Sequence, residues 1–210
     1  GLTNKQFYWW KNQMTINTKS WTKTLSSPHI LDSSGLLTTL GLVLLGLLAG
    51  LLQVHLRYPL NIPGHHGLEW MALLMFGRLL ADHRCAATIV ASGAAASYLV
   101  QSPFLALAHD IKPALIFLLT GACTDLLFRY SKNHLPESIC AALVGGLAFV
   151  SKPMVMYCIF ILTGLPIGMF IKHPDYLPFV SHLLFGLTGG AGGALLVAAV
   201  TRSSATKKAG

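Results

Sequence analysis

Six histidines lie in or beside three stretches that are rich in other functional groups. His55 leads through Arg57, Tyr58, Pro59 and Asn61 into Pro63-Gly64-His65-His66-Gly67-Leu68-Glu69-Trp70. His109-Asp110 is followed by Lys112, and Lys172-His173-Pro174-Asp175-Tyr176 comes shortly before His182. Imidazole, carboxylate, ammonium and indole groups brought together can hold a small polar solute. The candidate ligand-binding set is therefore His65, His66, Glu69, Trp70, His109, Asp110, Lys152, His173 and His182. Imidazole also suits Zn, Cu, Ni or Fe, so His65 and His66 could join Glu69 or His173 around a metal. Adjacent histidines point in different directions, and no His-Glu-x-x-His or His-x3-His spacing supports that set, so no metal is assigned. Any one of these residues taken alone also fits the role of an amphipathic anchor at a membrane interface.

Lys152 carries the most information, because it lies inside a long apolar block. A charge at the centre of a membrane span costs about 2.5–3.5 kcal/mol on insertion scales, so it must face a cavity, pair with an acid or snorkel outward. A cation of this kind beneath a His-rich cap suits an anionic or carboxylate-bearing ligand. Pro153 follows it and predicts a kink or break in the helix. Asp125 is the other charge in apolar surroundings, and Arg129 four residues on is its expected ion-pair partner. Cys85, Cys123, Cys140 and Cys158 are scattered singly and read as small apolar residues, not as a zinc site or disulfide framework. No nucleophile constellation, Walker motif or dinucleotide glycine pattern is present, so no catalytic role is expected.

The elements that must position these groups are apolar blocks. Residues 36–54, 67–80, 86–108, 114–128, 138–171 and 177–200 carry few charges, within a chain that is 53% hydrophobic and 10% charged with a mean hydropathy of +0.60. A bilayer span takes about 20 apolar residues, so the second and fourth blocks must recruit neighbours and the fifth must tilt or run into an irregular segment. The fold class expected is an all-α integral membrane protein, a six-helix transmembrane bundle over 35–201. A 1–34 amphipathic interfacial tail precedes it, and a 202–210 basic tail follows. In the first tail Phe7, Trp10, Met14, Trp21 and Leu25 share a stripe roughly opposite Lys5, Lys19 and Lys23, as in a helix lying among lipid headgroups. No small-residue cleavage site marks this segment as a signal peptide.

Basic residues alternate from loop to loop. Lys5, Lys11, Lys19, Lys23, Arg78, Arg84, Arg129, Lys132, Arg202, Lys207 and Lys208 fall on one side, against Arg57, Lys112 and Lys172 on the other. The positive-inside rule then places both termini in the cytoplasm and the His-rich loops outside. A seven-span alternative would split the fifth block at Ser151-Lys152-Pro153 and strand the C-terminal basic residues outside. The net charge of +8 is spread over these loops, so it reads as topology and not as a nucleic-acid surface. Small residues supply the close approaches that membrane helices use: Gly46-x3-Gly50, the alanine-rich third block, and the interleaved Gly186-x3-Gly190 and Gly189-x3-Gly193. Gly46, Gly50 and Asp125 are also candidate contacts to another subunit.

Gly46-x3-Gly50, the proline-rich cap ending at Glu69-Trp70, Gly121-x3-Asp125-Leu126-Leu127, and His182-Leu-Leu-Phe-Gly186-Leu-Thr-Gly189-Gly190 together resemble the substrate-binding (S) subunits of energy-coupling-factor (ECF) type ABC transporters. The similarity covers roughly residues 36–200. It implies capture of a small nutrient, a vitamin or a metal ion, in an outward-facing pocket under the first loop of a multi-pass protein of the inner membrane. It also implies partnership with a transmembrane coupling subunit and ATPase subunits, and no intrinsic cofactor. The cobalt and nickel members carry an N-terminal metal-binding segment with an early His, which this chain lacks. The competing expectation is a non-catalytic accessory membrane subunit of a respiratory or other multi-enzyme complex.

Overall fold

The computed structural model describes residues 33–55, 62–101, 111–164, 168–173 and 176–209. The chain divides into units 1–36 and 37–210, and the second holds nearly everything described. The expected interfacial helix at 1–34 falls almost wholly outside the described residues. Its last positions begin α1, Ser33–His55.

Every element among the described residues is helical: α2 Gly67–Leu80, α3 Ala86–Gln101, α4 Lys112–Ser131, α5 Glu137–Thr163, the short α6 Gly168–Lys172, and α7 Leu177–Ala209. Four of them contain segments long and apolar enough to cross a bilayer, namely Gly35–Gln53, Lys112–Ser131, Glu137–Thr163 and Leu177–Ser203. At 1.5 Å per residue α2 and α3 are only about 21 and 24 Å long, yet they form the middle of the molecule. Trp70, Met71, Leu74 and Met75 of α2, and Ala86, Ala87, Val90, Ala91 and Ala94 of α3, are buried.

Three sequence expectations change. Pro153 neither breaks nor ends its helix, for α5 runs unbroken from Glu137 to Thr163 and buries the proline ring. The split at 151–153 that seven spans would need is therefore absent. The fifth apolar block ends instead at Gly164, in the left-handed conformation (φ 66°), whose N–H closes on Phe160 O at 2.8 Å. At the other end of the chain the helical backbone of α7 runs on to Ala209, so the basic tail continues a helix about 50 Å long.

Packing follows the small residues. A methyl group on Gly46 would strike the Val90 carbonyl and approach the Gly93 Cα at 3.0 Å, and one on Gly50 would meet the Ser97 Cβ at 2.7 Å. The backbones of α1 and α3 are thus in contact. Gly121 sets α4 against α3 in the same way, for a methyl group there would lie 2.5 Å from the Ala91 Cβ and 2.9 Å from the Ala87 carbonyl oxygen. Helix α7 presents two glycine stripes to two neighbours. Gly186 and Gly190 lie on Gly145, Gly146 and Ala141 of α5, while Gly189 and Gly193 lie on the Leu68 and Ala72 carbonyls of α2.

Candidate functional site

At the end of the second unit that carries the 62–67 turn, α1, α2, α4 and α5 line a partly open cavity of about 90 Å³. Its polar wall is Gln53, Thr120 and Lys152; its apolar wall is Trp70, Ile116, Phe117, Phe149 and Met156, with Pro113 at the start of α4. Trp70 and Phe117 meet at 4.8 Å between ring centroids, and Tyr98 stands edge-on to Phe117 at 6.4 Å. Trp70, Thr120 and Phe149 are all at most 3% exposed, so these walls are fixed by packing. The Thr120 hydroxyl donates to Ile116 O at 2.8 Å and lies 3.4 Å from Ser151 Oγ.

Lys152 is half-buried in this wall. No carboxylate or hydrogen-bond acceptor among the described residues is paired with it, and the ion pair found among them, Arg78–Asp125, lies elsewhere. Lys152 thus keeps its functional group next to space and not next to an acid.

His182 is completely buried behind the cavity. Its Nδ1 lies 2.7 Å from Pro178 O, its ring lies 4.7 Å from that of Phe149, and its Nε2 has no partner. The 62–67 turn sits directly on these two rings. Gly64 has φ 86° and so close an approach that a Cβ would lie 2.8 Å from His182 Nδ1, while one on Gly67 would overlap the Phe149 ring. The turn is closed by Gly67 N–H to Gly64 O at 2.8 Å. Pro63 and the two glycines therefore lay this turn down on His182 and Phe149; the earlier part of the expected cap, 56–61, lies outside the described residues.

The remaining candidates are distributed more loosely. His65 and His66 stack on each other at 3.7 Å, and His65 Nδ1 lies 2.6 Å from Ile62 O. Glu69 is half-buried in the first turn of α2, where the helix dipole favours a carboxylate. His173 is half-buried just after α6. His109 and Asp110 lie outside the described residues. Of the nine, the structure brings Trp70 and Lys152 into the cavity wall and His182 directly behind it. Among the described residues no three His, Cys, Asp or Glu side chains stand close enough to hold a metal ion. The wall residues missed by sequence reasoning are Gln53, Pro113, Ile116, Phe117, Thr120, Phe149 and Met156. Gln53 gave a signal as a lone amide near the end of an apolar block, whereas the others look like ordinary core.

At the opposite end Asp125 is buried and takes Arg78, not Arg129, as its partner, with Nε to Oδ1 at 3.1 Å. Arg129 is exposed. The carboxylate turns inward because it caps α3: it accepts the Ala87 and Thr88 N–H groups at 3.1 and 2.8 Å and the Thr88 hydroxyl at 2.7 Å. Arg78 Nη1 also donates to Ala81 O and His83 O, both at 3.3 Å, and its guanidinium lies 4.4 Å from the centre of the Phe128 ring. Asp125, like Gly46 and Gly50, is thus engaged by other helices of its own chain.

Comparison of the chain with family models, with curated proteins and with solved structures finds no match.

Proposed function

We propose that this chain is the substrate-capture subunit of an ECF-type transporter, holding a small anionic nutrient in the cavity beside Lys152. In this reading the protein crosses the inner membrane six times, with α2 and α3 as short central spans and both termini in the cytoplasm. The 62–67 turn is then the outer cap, and the Arg78–Asp125 knot lies at the cytoplasmic end. The observation that carries the reading is Lys152 in the wall of a cavity with no acid among the described residues to neutralise it. A membrane interior tolerates such a charge when it serves a ligand or a solvent-filled path. The aromatic walls suit the apolar body of a solute, and the rigid turn above them suits a cover.

Six spans require the 14 residues of α2 and the 16 of α3 to cross with the help of their flanking segments. Their burial inside the bundle supports this, because the longer α1, α4, α5 and α7 carry most of the lipid contact. Transport would take its energy from separate ATPase subunits, and the chain itself would do no covalent chemistry.

Native mass spectrometry of the protein, purified gently from its own membrane, tests the proposal. Two ATPases and a coupling subunit travelling with the chain, with a small molecule released on activation, are the expected result. Copurification with redox subunits and no small ligand would overturn it in favour of an accessory subunit.

A further inference from the structure

We propose that the cavity takes a short-chain monocarboxylate of acetate to propionate size. The carboxylate would lie at Lys152 and the alkyl tail among Trp70, Phe117 and Phe149. This deepens, and rests on, the reading of the cavity as a capture pocket.

Size sets the first limit. A cavity of about 150 Å³ accommodates the six carbons of benzene, so the 90 Å³ found here holds roughly four non-hydrogen atoms, with room for about one more at its open side. Drug-sized ligands need several times that volume, about 300–1,000 Å³.

Charge sets the second. Among the described residues the wall offers one cation and no carboxylate, so a single negative charge is compensated and a second is not. A doubly charged phosphate would leave uncompensated charge against aromatic rings, which is costly in a poorly solvated site. An amino acid zwitterion would bring its ammonium into a wall that holds Lys152 and no acid to receive it.

Polarity sets the third. Apart from Lys152, the hydrogen-bonding side chains of the wall among the described residues are Gln53, Thr120 and the Trp70 indole, and the Thr120 hydroxyl hydrogen is already given to Ile116 O. A strongly hydrated inorganic anion would lose more water contacts here than the wall replaces. A carboxylate with a short apolar tail matches both halves of the wall. The tail lies against rings that are themselves held, Trp70 by Phe117 and Phe149 by the buried His182.

Saturation-transfer NMR and calorimetry on the purified full-length chain in lipid nanodiscs would test this. The probes are propionate, its neutral isostere propionamide, propylammonium, phosphate, chloride and benzoate. Propionate should bind saturably and at least tenfold more tightly than propionamide, and the others should not compete. Lys152→Met should weaken propionate at least tenfold while leaving the melting temperature unchanged or higher. Should that variant fail to fold, the probe series on the wild-type chain decides alone.

Equal binding of propionate and propionamide would overturn the carboxylate class, as would a preference for phosphate, chloride, propylammonium or benzoate; either result would leave a capture pocket standing. Failure of every probe on folded protein would also overturn the inference. The copurification experiment would then show separately whether the capture reading survives.

Discussion

Arg78 and Asp125 form a buried pair in which each partner does further work. The carboxylate holds the first amides of α3, and the guanidinium holds the carbonyls of Ala81 and His83 beyond α2. Breaking a buried ion pair by removing one member costs about 3–5 kcal/mol, because the other charge is left uncompensated. Arg78→Leu should therefore lower stability by about that amount in steric-trap or thermal unfolding. The double variant Arg78→Leu with Asp125→Leu should cost less than the sum of the two single changes. Gly64 and Gly164 provide a second contrast at this scale. Both have positive φ, but Gly164 has open space where a Cβ would go and Gly64 has the His182 ring. Gly164→Ala should cost about 1–2 kcal/mol from backbone strain alone. Gly64→Ala should cost more and should also loosen the 62–67 turn, read as faster hydrogen exchange at the Gly67 amide.

Helix positions were largely legible in the sequence, because apolar runs bounded by Pro, Gly and charge are the main signal for membrane helices. The second block begins and ends where α2 does, and the interleaved glycines of α7 predicted close packing, which the structure places on two neighbours. The fate of Pro153 was not legible. A proline within an apolar run breaks a helix or is absorbed by it according to what packs around the ring, and only the tertiary structure supplies that. The partner of Asp125 was hidden for a related reason. Arg129 is its neighbour at i,i+4, but Arg78 meets it across 47 positions of chain. The cavity wall was half legible: Lys152 and Trp70 stand out as residue types, whereas Phe117, Thr120 and Phe149 resemble core until the helices are assembled. At the same scale, Gly190→Leu should push α7 off the Ala141 carbonyl and cost several degrees in melting temperature. Gly41→Leu should be near neutral, since nothing lies within 4 Å of a Cβ there.

For the whole molecule, the threading makes a simple labelling prediction. Cys85 is exposed beside Asp82, His83 and Arg84, on the face proposed to be cytoplasmic. A variant retaining only Cys85 should resist a membrane-impermeant maleimide in intact cells and react in inverted vesicles; the reverse pattern would invert the topology. The glycine contacts carry one more consequence. Backbone to backbone they join two triplets, α1 with α3 and α4, and α2 with α5 and α7; between the triplets, Gly77 of α2 meets the Val90, Leu45 and Leu42 side chains. The cavity draws its wall from both triplets and so lies on the seam between them. Arg78 and Asp125 tie α2 to α4 across that seam at the far end from the cavity. In the capture reading, a hinge at the ionic end that opens at the other would be the motion that admits a solute. Solute entry by that route would unstack Trp70 from Phe117 while leaving every backbone-to-backbone glycine contact intact.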